Sequence, residues 1–198
     1  MVKAALSVTG RTVDDIDLFA CTAGPGSFTG VRIGAATVKG LAFGRGKPCV
    51  GVSTLASLAL NASAEVGLIC PAMNARREQV YNALFTSDGQ AVSRLCPDRA
   101  LAIAELGEEL ATLHPELPVY LVGDGAHLVY DALAGALGAR LRLMPERLIH
   151  QSGYNTAMTG LRLYREGIRT TDFELVPVYL RPSQAERVRM EKLKGDNA

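Results

Sequence analysis

One stretch constrains this chain more than any other: Cys21-Thr22-Ala23-Gly24-Pro25-Gly26-Ser27-Phe28-Thr29-Gly30-Val31-Arg32-Ile33-Gly34. Upstream of it, Ile16, Leu18 and Phe19 run into Ala20 and Cys21 as a short apolar series, the pattern of a buried strand. Gly24-Pro25-Gly26 ends that strand, because proline fixes one backbone angle and glycine reaches conformations other residues avoid. Ser27 or Thr29 then caps a helix, its hydroxyl oxygen accepting a hydrogen bond from a free amide of the first turn. Neither has Glu or Gln three residues on, so the reciprocal capping box is absent.

The helix that follows is expected over residues 29–44. Its apolar residues, Val31, Ile33, Ala35, Ala36, Val38, Leu41, Ala42 and Phe43, do not fall on one stripe, and only Arg32 and Lys39 carry charge. A helix apolar nearly all round is buried on more than one side. It also holds Gly30, Gly34, Gly40 and Gly44. Each interior glycine costs roughly 0.5–1 kcal/mol relative to alanine, and close approach of another backbone is the usual compensation. Two readings stay open: a helix between a sheet and a neighbouring helix, including one from another chain, or a core helix of a single domain.

The glycine turn also has two readings. Such a turn before a helix can bind phosphate through free amides and the helix dipole. Yet Gly24-Pro25-Gly26-Ser27-Phe28-Thr29-Gly30 is one residue too long between its last glycines for the dinucleotide fingerprint, and its proline removes an amide. No Lys-Ser or Lys-Thr pair follows, so it is not an ATPase phosphate loop. The residues favour a structural turn.

The chain has 198 residues, enough for one large or two small domains, and is 48% hydrophobic, which supports a sizeable core. Its formal net charge is +1, so nothing draws it globally toward nucleic acid. It has no Trp and 6% aromatics, too few for a base-stacking platform. Cys21, Cys49, Cys70 and Cys96 are widely spaced in apolar contexts and read as buried free thiols of a reducing cytoplasm. No run is long and apolar enough for a membrane span.

Met1 to Val8 reads as the tail of a helix, stopped at Gly10. After the glycine helix, Cys49-Val50-Gly51-Val52 is a short buried strand, and Ser53 or Thr54 caps a helix through Leu55, Leu58 and Leu60. A second unit opens near Ser63, with strands at Val66 to Cys70, Gln79 to Phe85 and Ala91 to Leu95. A helix is expected over 100–113, a strand over 118–122, a helix over 127–137, a brief strand over 141–143 and a last long helix over 154–166. Alternation of this kind implies sheets covered by helices, in two α/β halves, 1–62 and 63–198.

Gly24 to Gly34, with Lys39-Gly40-Leu41-Ala42 and Gly51-Val52-Ser53-Thr54-Leu55, resembles the TsaB family, also called YeaZ. Ala75-Arg76-Arg77 with Glu78, Val80 and Tyr81 is similar to that family's Asp-Ala-Arg segment, although Asn74 stands where the aspartate is usual. Pro177-Val178-Tyr179-Leu180-Arg181 with Ala185-Glu186-Arg187 is similar to its C-terminal signature. The resemblance implies an actin-like/RNase H-like duplicated α/β fold. It also implies a non-catalytic subunit that binds and stabilises TsaD, which with TsaE transfers threonylcarbamoyl to an adenosine of tRNA. Implied further are a homodimer in the absence of TsaD, tRNA contact only through the complex, no membrane, a cytoplasmic location and no cofactor, with nucleotide at the partner junction as the one candidate. Chains of this family open with strands that precede the first helix here, so the polypeptide is expected to be longer than Met1–Ala198, which an intact mass would check.

The residues expected at the partner interface lie along the glycine helix: Thr29, Gly30, Arg32, Ile33, Gly34, Thr37 and Leu41, with Lys3 and Leu6 from the preceding helix. Small residues let two helices approach, and Arg32 supplies a charged hydrogen bond at the rim. Arg76 and Arg77 are a candidate anion contact, since a guanidinium matches phosphate oxygens at two points; the alternative is a solvated surface pair. The basic run Arg181, Arg187, Arg189, Lys192 and Lys194, interleaved with Glu186 and Glu191, reads as a solvated helix face.

Catalytic constellations are sparse. His114, His127 and His150 are far apart in sequence and lack the spacing of a helix-borne metal pair. Ser27 has neither the elbow spacing nor a base candidate of a nucleophile. Asp124, between Gly123 and Gly125, is the sole glycine-turn acid with the look of a magnesium ligand, and reads first as a turn residue. The competing hypothesis is a metal- or ATP-dependent enzyme of the actin-like fold, an ATPase or a glycoprotease-like peptidase, testable by nucleotide or metal binding.

Overall fold

The structure, a computed structural model, describes residues 2–181. Helix α1 (Val2–Val8) leads through a 3-10 turn into strand β1 (Phe19–Gly24), helix α2 (Phe28–Ala42) and strand β2 (Cys49–Ser53). β1 and β2 are parallel, Phe19 opposite Cys49 and Thr22 opposite Val52. Ser27 caps α2, its Oγ accepting the Gly30 N–H at 3.4 Å. Ser53 caps helix α3 (Thr54–Ala59) in the same way, accepting the Ala56 N–H at 3.1 Å. Of the described residues only these two strands form the first sheet, so the far edge of β1 has no strand beside it.

The second sheet is built on strand β3 (Val66–Asn74). A single strand was expected over Gln79 to Phe85; the structure has two, β4 (Gln79–Asn82) and β5 (Phe85–Asp88), which pair with opposite halves of β3. The break is pinned by Asn82, whose buried amide donates to the carbonyls of Pro71 at 2.9 Å and Ala83 at 3.1 Å. Strand β6 (Val92–Arg94) follows β5. The helix expected from residue 100 begins later: Arg99–Ala102 is strand β7, antiparallel to β4, and helix α4 runs Ile103–Thr112. Pairing along Gln79–Asn82, and the Ile103 N–H donated to the Glu78 carbonyl at 3.0 Å, outweigh the helical spacing of Leu101.

Strand β8 (Val119–Val122), helix α5 (Ala126–Leu137) and strand β9 (Leu141–Leu143) complete this sheet. β8 lies parallel to β3, and β9 parallel to β8. The order is β6-β5-β3-β8-β9, antiparallel on one side of β3 and parallel on the other, with β4 and β7 extending its upper half. The parallel unit β1–α2–β2 is repeated as β8–α5–β9. This is the expected actin-like/RNase H-like duplicated α/β architecture.

Both faces of the second sheet are covered, so β3 is apolar almost continuously rather than alternately. Leu68, Cys70 and Ala72 face Leu106 and Leu110 of α4 and Val129 and Leu133 of α5. Ile69 and Met73 face Leu55 and Leu58 of α3 on the other side, the period of two a strand imposes. All four cysteines are free thiols. Burial pushes Cys70 up to about 12 and Cys21 up to about 11.

Residues after the second sheet return to the first. Helix α6 (Gly153–Arg165) crosses β1 closely, its Gly160 leaving no room for a side chain against Ala20. Thr170 exchanges two backbone hydrogen bonds of 2.8 Å with Cys49. Further on, Val178 donates its N–H to the Ala23 carbonyl at 2.7 Å. Gly24, at φ +137°, is the residue that close approach requires, since a side chain there would strike the Val178 carbonyl.

Candidate functional site

α2 buries Val31, Ala35 and Ala42 against its own chain. The opposite side is open. Thr29, Gly30 and Thr37 are exposed, Gly34 is half-buried, and Ile33 is 62% exposed. A Cβ added at Gly34 or Gly40 would meet nothing within 4 Å among the described residues. No contact among the described residues therefore accounts for glycine at either position, and the helix carries their intrinsic cost of roughly 0.5–1 kcal/mol each. Lys3 is exposed on α1, a helix with no buried residue.

Three more residues expected on that surface also have neighbours within the chain. Leu6 and Leu41 line an apolar cavity of about 370 Å³ between α1, β1 and α2, with Val2, Val13, Leu18 and Val38. Arg32 is engaged within the chain. Its Nε donates to the Tyr179 hydroxyl at 2.8 Å, and its guanidinium lies 4.2 Å from the centroid of Phe28. Phe28 in turn stacks on Tyr179 with centroids 4.3 Å apart. Sequence reasoning had no means of finding this clamp, because its partners are 147 positions apart. Lys39 adds to it, its Nζ donating to the carbonyls of Phe173 at 3.1 Å and Leu175 at 3.3 Å.

Arg76 and Arg77 form the tip of the β3–β4 turn with Glu78, and all three are exposed. Their φ values are +63°, +54° and +55°, three successive side-chain-bearing residues in the left-handed region. Each costs about 1–2 kcal/mol there, so the surroundings must hold the turn. The Asn74 Oδ1 accepts the Arg76 N–H at 2.8 Å, Ala75 donates to the Gln79 carbonyl at 3.0 Å, and Arg181 donates to the Ala75 carbonyl at 2.9 Å. Glu78→Gly is expected to raise stability by about 1 kcal/mol, since glycine adopts this conformation without strain. Urea unfolding would show it as a higher midpoint at unchanged slope.

The Asp124 Oδ1 accepts the Asn74 N–H at 3.3 Å, a turn-closing contact. His127 and His150, distant in sequence, both face Glu146, at 3.5 Å and 3.6 Å. No three His, Cys, Asp or Glu side chains among the described residues converge to hold a metal ion. No helix among them is long and apolar enough to cross a membrane. Ala185, Glu186, Arg187, Arg189, Glu191, Lys192 and Lys194 lie outside the described residues.

Comparisons with known proteins converge on one family. The protein-family model described as "TsaD: tRNA N6-adenosine threonylcarbamoyltransferase" matches residues 1–187. The tRNA threonylcarbamoyladenosine biosynthesis protein TsaB of Bacillus subtilis (strain 168) is 31% identical over 193 residues, which is 98% of this chain and 82% of that protein. A tRNA N6-adenosine threonylcarbamoyltransferase of Jannaschia sp. (strain CCS1) is 44% identical over 168 residues, covering 82% of this chain but only 44% of the transferase. The solved structure of YeaZ from Pseudomonas aeruginosa superposes with a TM-score of 0.69 at 26% identity, covering 91% of this chain and 81% of that one. The duplicated fold, the Gly-Pro-Gly turn into a glycine-bearing helix and these matches agree: the chain belongs to the TsaB (YeaZ) family of tRNA threonylcarbamoyladenosine biosynthesis proteins.

Proposed function

We propose that this chain is a non-catalytic partner subunit that binds and stabilises a TsaD-type transferase through the outward face of α2. That face comprises Thr29, Gly30, Ile33, Gly34 and Thr37, with Lys3 beside it on α1. The observation that carries the reading is the open space over Gly34 and Gly40 beside an exposed Ile33. Another helix laid there would bury Ile33 and give the glycines the close approach that compensates their cost. In the absence of TsaD the same face pairs two copies of this chain. TsaE and tRNA meet the chain through that complex, in the cytoplasm, and the chain itself carries no cofactor; a nucleotide, if one is held, sits at the junction with TsaD.

A catalytic reading draws on the 44% identity to a transferase. One experiment separates the two. The chain is co-purified with the TsaD of the same organism, and tRNA modification is assayed with each protein alone and with both. Stable co-purification, with modification requiring both proteins, supports the partner subunit. Modification by this chain alone would replace it with the enzyme.

A further inference from the structure

The arginines of the described chain are mostly occupied. Arg45, Arg94, Arg99 and Arg162 pair with carboxylates. Arg140 is spent on backbone carbonyls, Arg32 on Tyr179, Arg142 on the Tyr120 hydroxyl and Arg181 on the Ala75 carbonyl. Arg11, Arg147 and Arg165 have no such partner among the described residues either, but each stands alone, whereas Arg76 and Arg77 are adjacent on one braced turn. Both are exposed, and neither guanidinium has a hydrogen-bond or carboxylate partner among the described residues, although Glu78 is their neighbour in sequence. The backbone that presents them is strained at all three residues and braced from three directions: by Asn74, by Arg181, and by the Ile103 N–H on the Glu78 carbonyl at 3.0 Å. Strain held in place by its surroundings marks positions where a fixed geometry is used. A flexible glycine turn would join β3 to β4 at lower cost.

We infer that the Arg76–Arg77 turn is a docking point for the phosphate backbone of RNA, within the complex proposed above. A guanidinium offers two parallel N–H donors that match phosphate oxygens. Holding two of them on a rigid turn lowers the side-chain ordering cost of binding. The net charge of +1 and the lack of Trp place this contact in the class that positions a nucleic acid rather than reads its bases. RNA is favoured over an acidic protein surface because the relatives are named for tRNA modification.

The test titrates unmodified tRNA with the full chain, alone and with its TsaD, across salt concentrations. Wild type is compared with Arg76→Gln/Arg77→Gln, and size-exclusion chromatography scores complex formation. Each phosphate contact contributes about 0.7–0.9 to the slope of log affinity against log salt. The double variant is expected to lose about 1.4–1.8 of that slope and about tenfold in affinity, with complex formation and melting temperature unchanged. Equal slopes and affinities in a complex that still forms would overturn the RNA contact and leave the partner role standing. So would loss of TsaD binding with RNA affinity intact, which would assign the turn to a protein surface. If no complex forms, the partner role fails, and the same comparison on the chain alone decides the RNA contact; no RNA binding by wild type in either setting overturns it.

Discussion

Gly34→Leu is expected to weaken capture of TsaD by at least about 100-fold while leaving the chain folded. The two halves of that statement have separate physical grounds. Folding is spared because a Cβ at position 34 meets nothing within 4 Å among the described residues, so the side chain starts in open space. Leucine also favours helix over glycine by about 0.8–1 kcal/mol, so the isolated variant should melt at or slightly above the wild-type temperature. Binding is lost because four extra carbons now stand where a second helix must approach. Overpacking of a tight contact costs about 3 kcal/mol, which is about 100-fold. Gly34→Ala, a single methyl, should lose far less. A destabilising core mutation would lower melting temperature and capture together. Here they move in opposite directions, and that opposition separates an interface from a structural role.

Arg140→Ala is expected to remove about 3 kcal/mol of stability, close to 9 °C in melting temperature for a chain of this length. One guanidinium serves four carbonyls where α4 ends. Its Nε donates to Leu117 at 2.7 Å, and one terminal nitrogen reaches Leu113 at 2.6 Å and His114 at 2.7 Å. The other terminal nitrogen donates to Leu110. The last carbonyls of a helix have no partner of their own, and here the loop beyond turns sharply through His114, at φ +44°. Truncation would orphan several part-buried acceptors at once. Arg140→Lys should recover less than half of the loss, because an ammonium has no planar fork to span them. Differential scanning calorimetry of the three proteins checks the order wild type, Lys, Ala.

Much of this architecture was readable from local chemistry. The strand, turn and capped helix from Phe19 to Ala42 follow from a short apolar run, Gly-Pro-Gly and a serine, all acting within a few residues. The boundaries that differed were set at a distance. Leu101 has helical spacing, yet residues 99–102 are drawn into a strand by β4. Gln79 to Phe85 has the composition of one strand, yet β3 is long enough to take its two parts on separate halves. The open face of α2 was foreshadowed by its glycines and scattered apolar residues. Which of those residues point outward was not, because the clamp on Arg32 and the cavity around Leu6 and Leu41 depend on segments far away in sequence. The same holds for His127, which reaches Glu146, the local partner of His150, only through the fold.

A polypeptide that covers the outward side of α2 must bury Ile33. Hydroxyl-radical footprinting of Ile33, which is 62% exposed in the chain alone, tests this burial most directly. Oxidation of Ile33 should fall several-fold when TsaD is added, while the equally open Phe43 and Tyr154, at 66% and 71%, serve as internal references. Oxidation of Ile33 unchanged at saturating TsaD, in a complex shown to form, would mean that TsaD docks elsewhere than on α2.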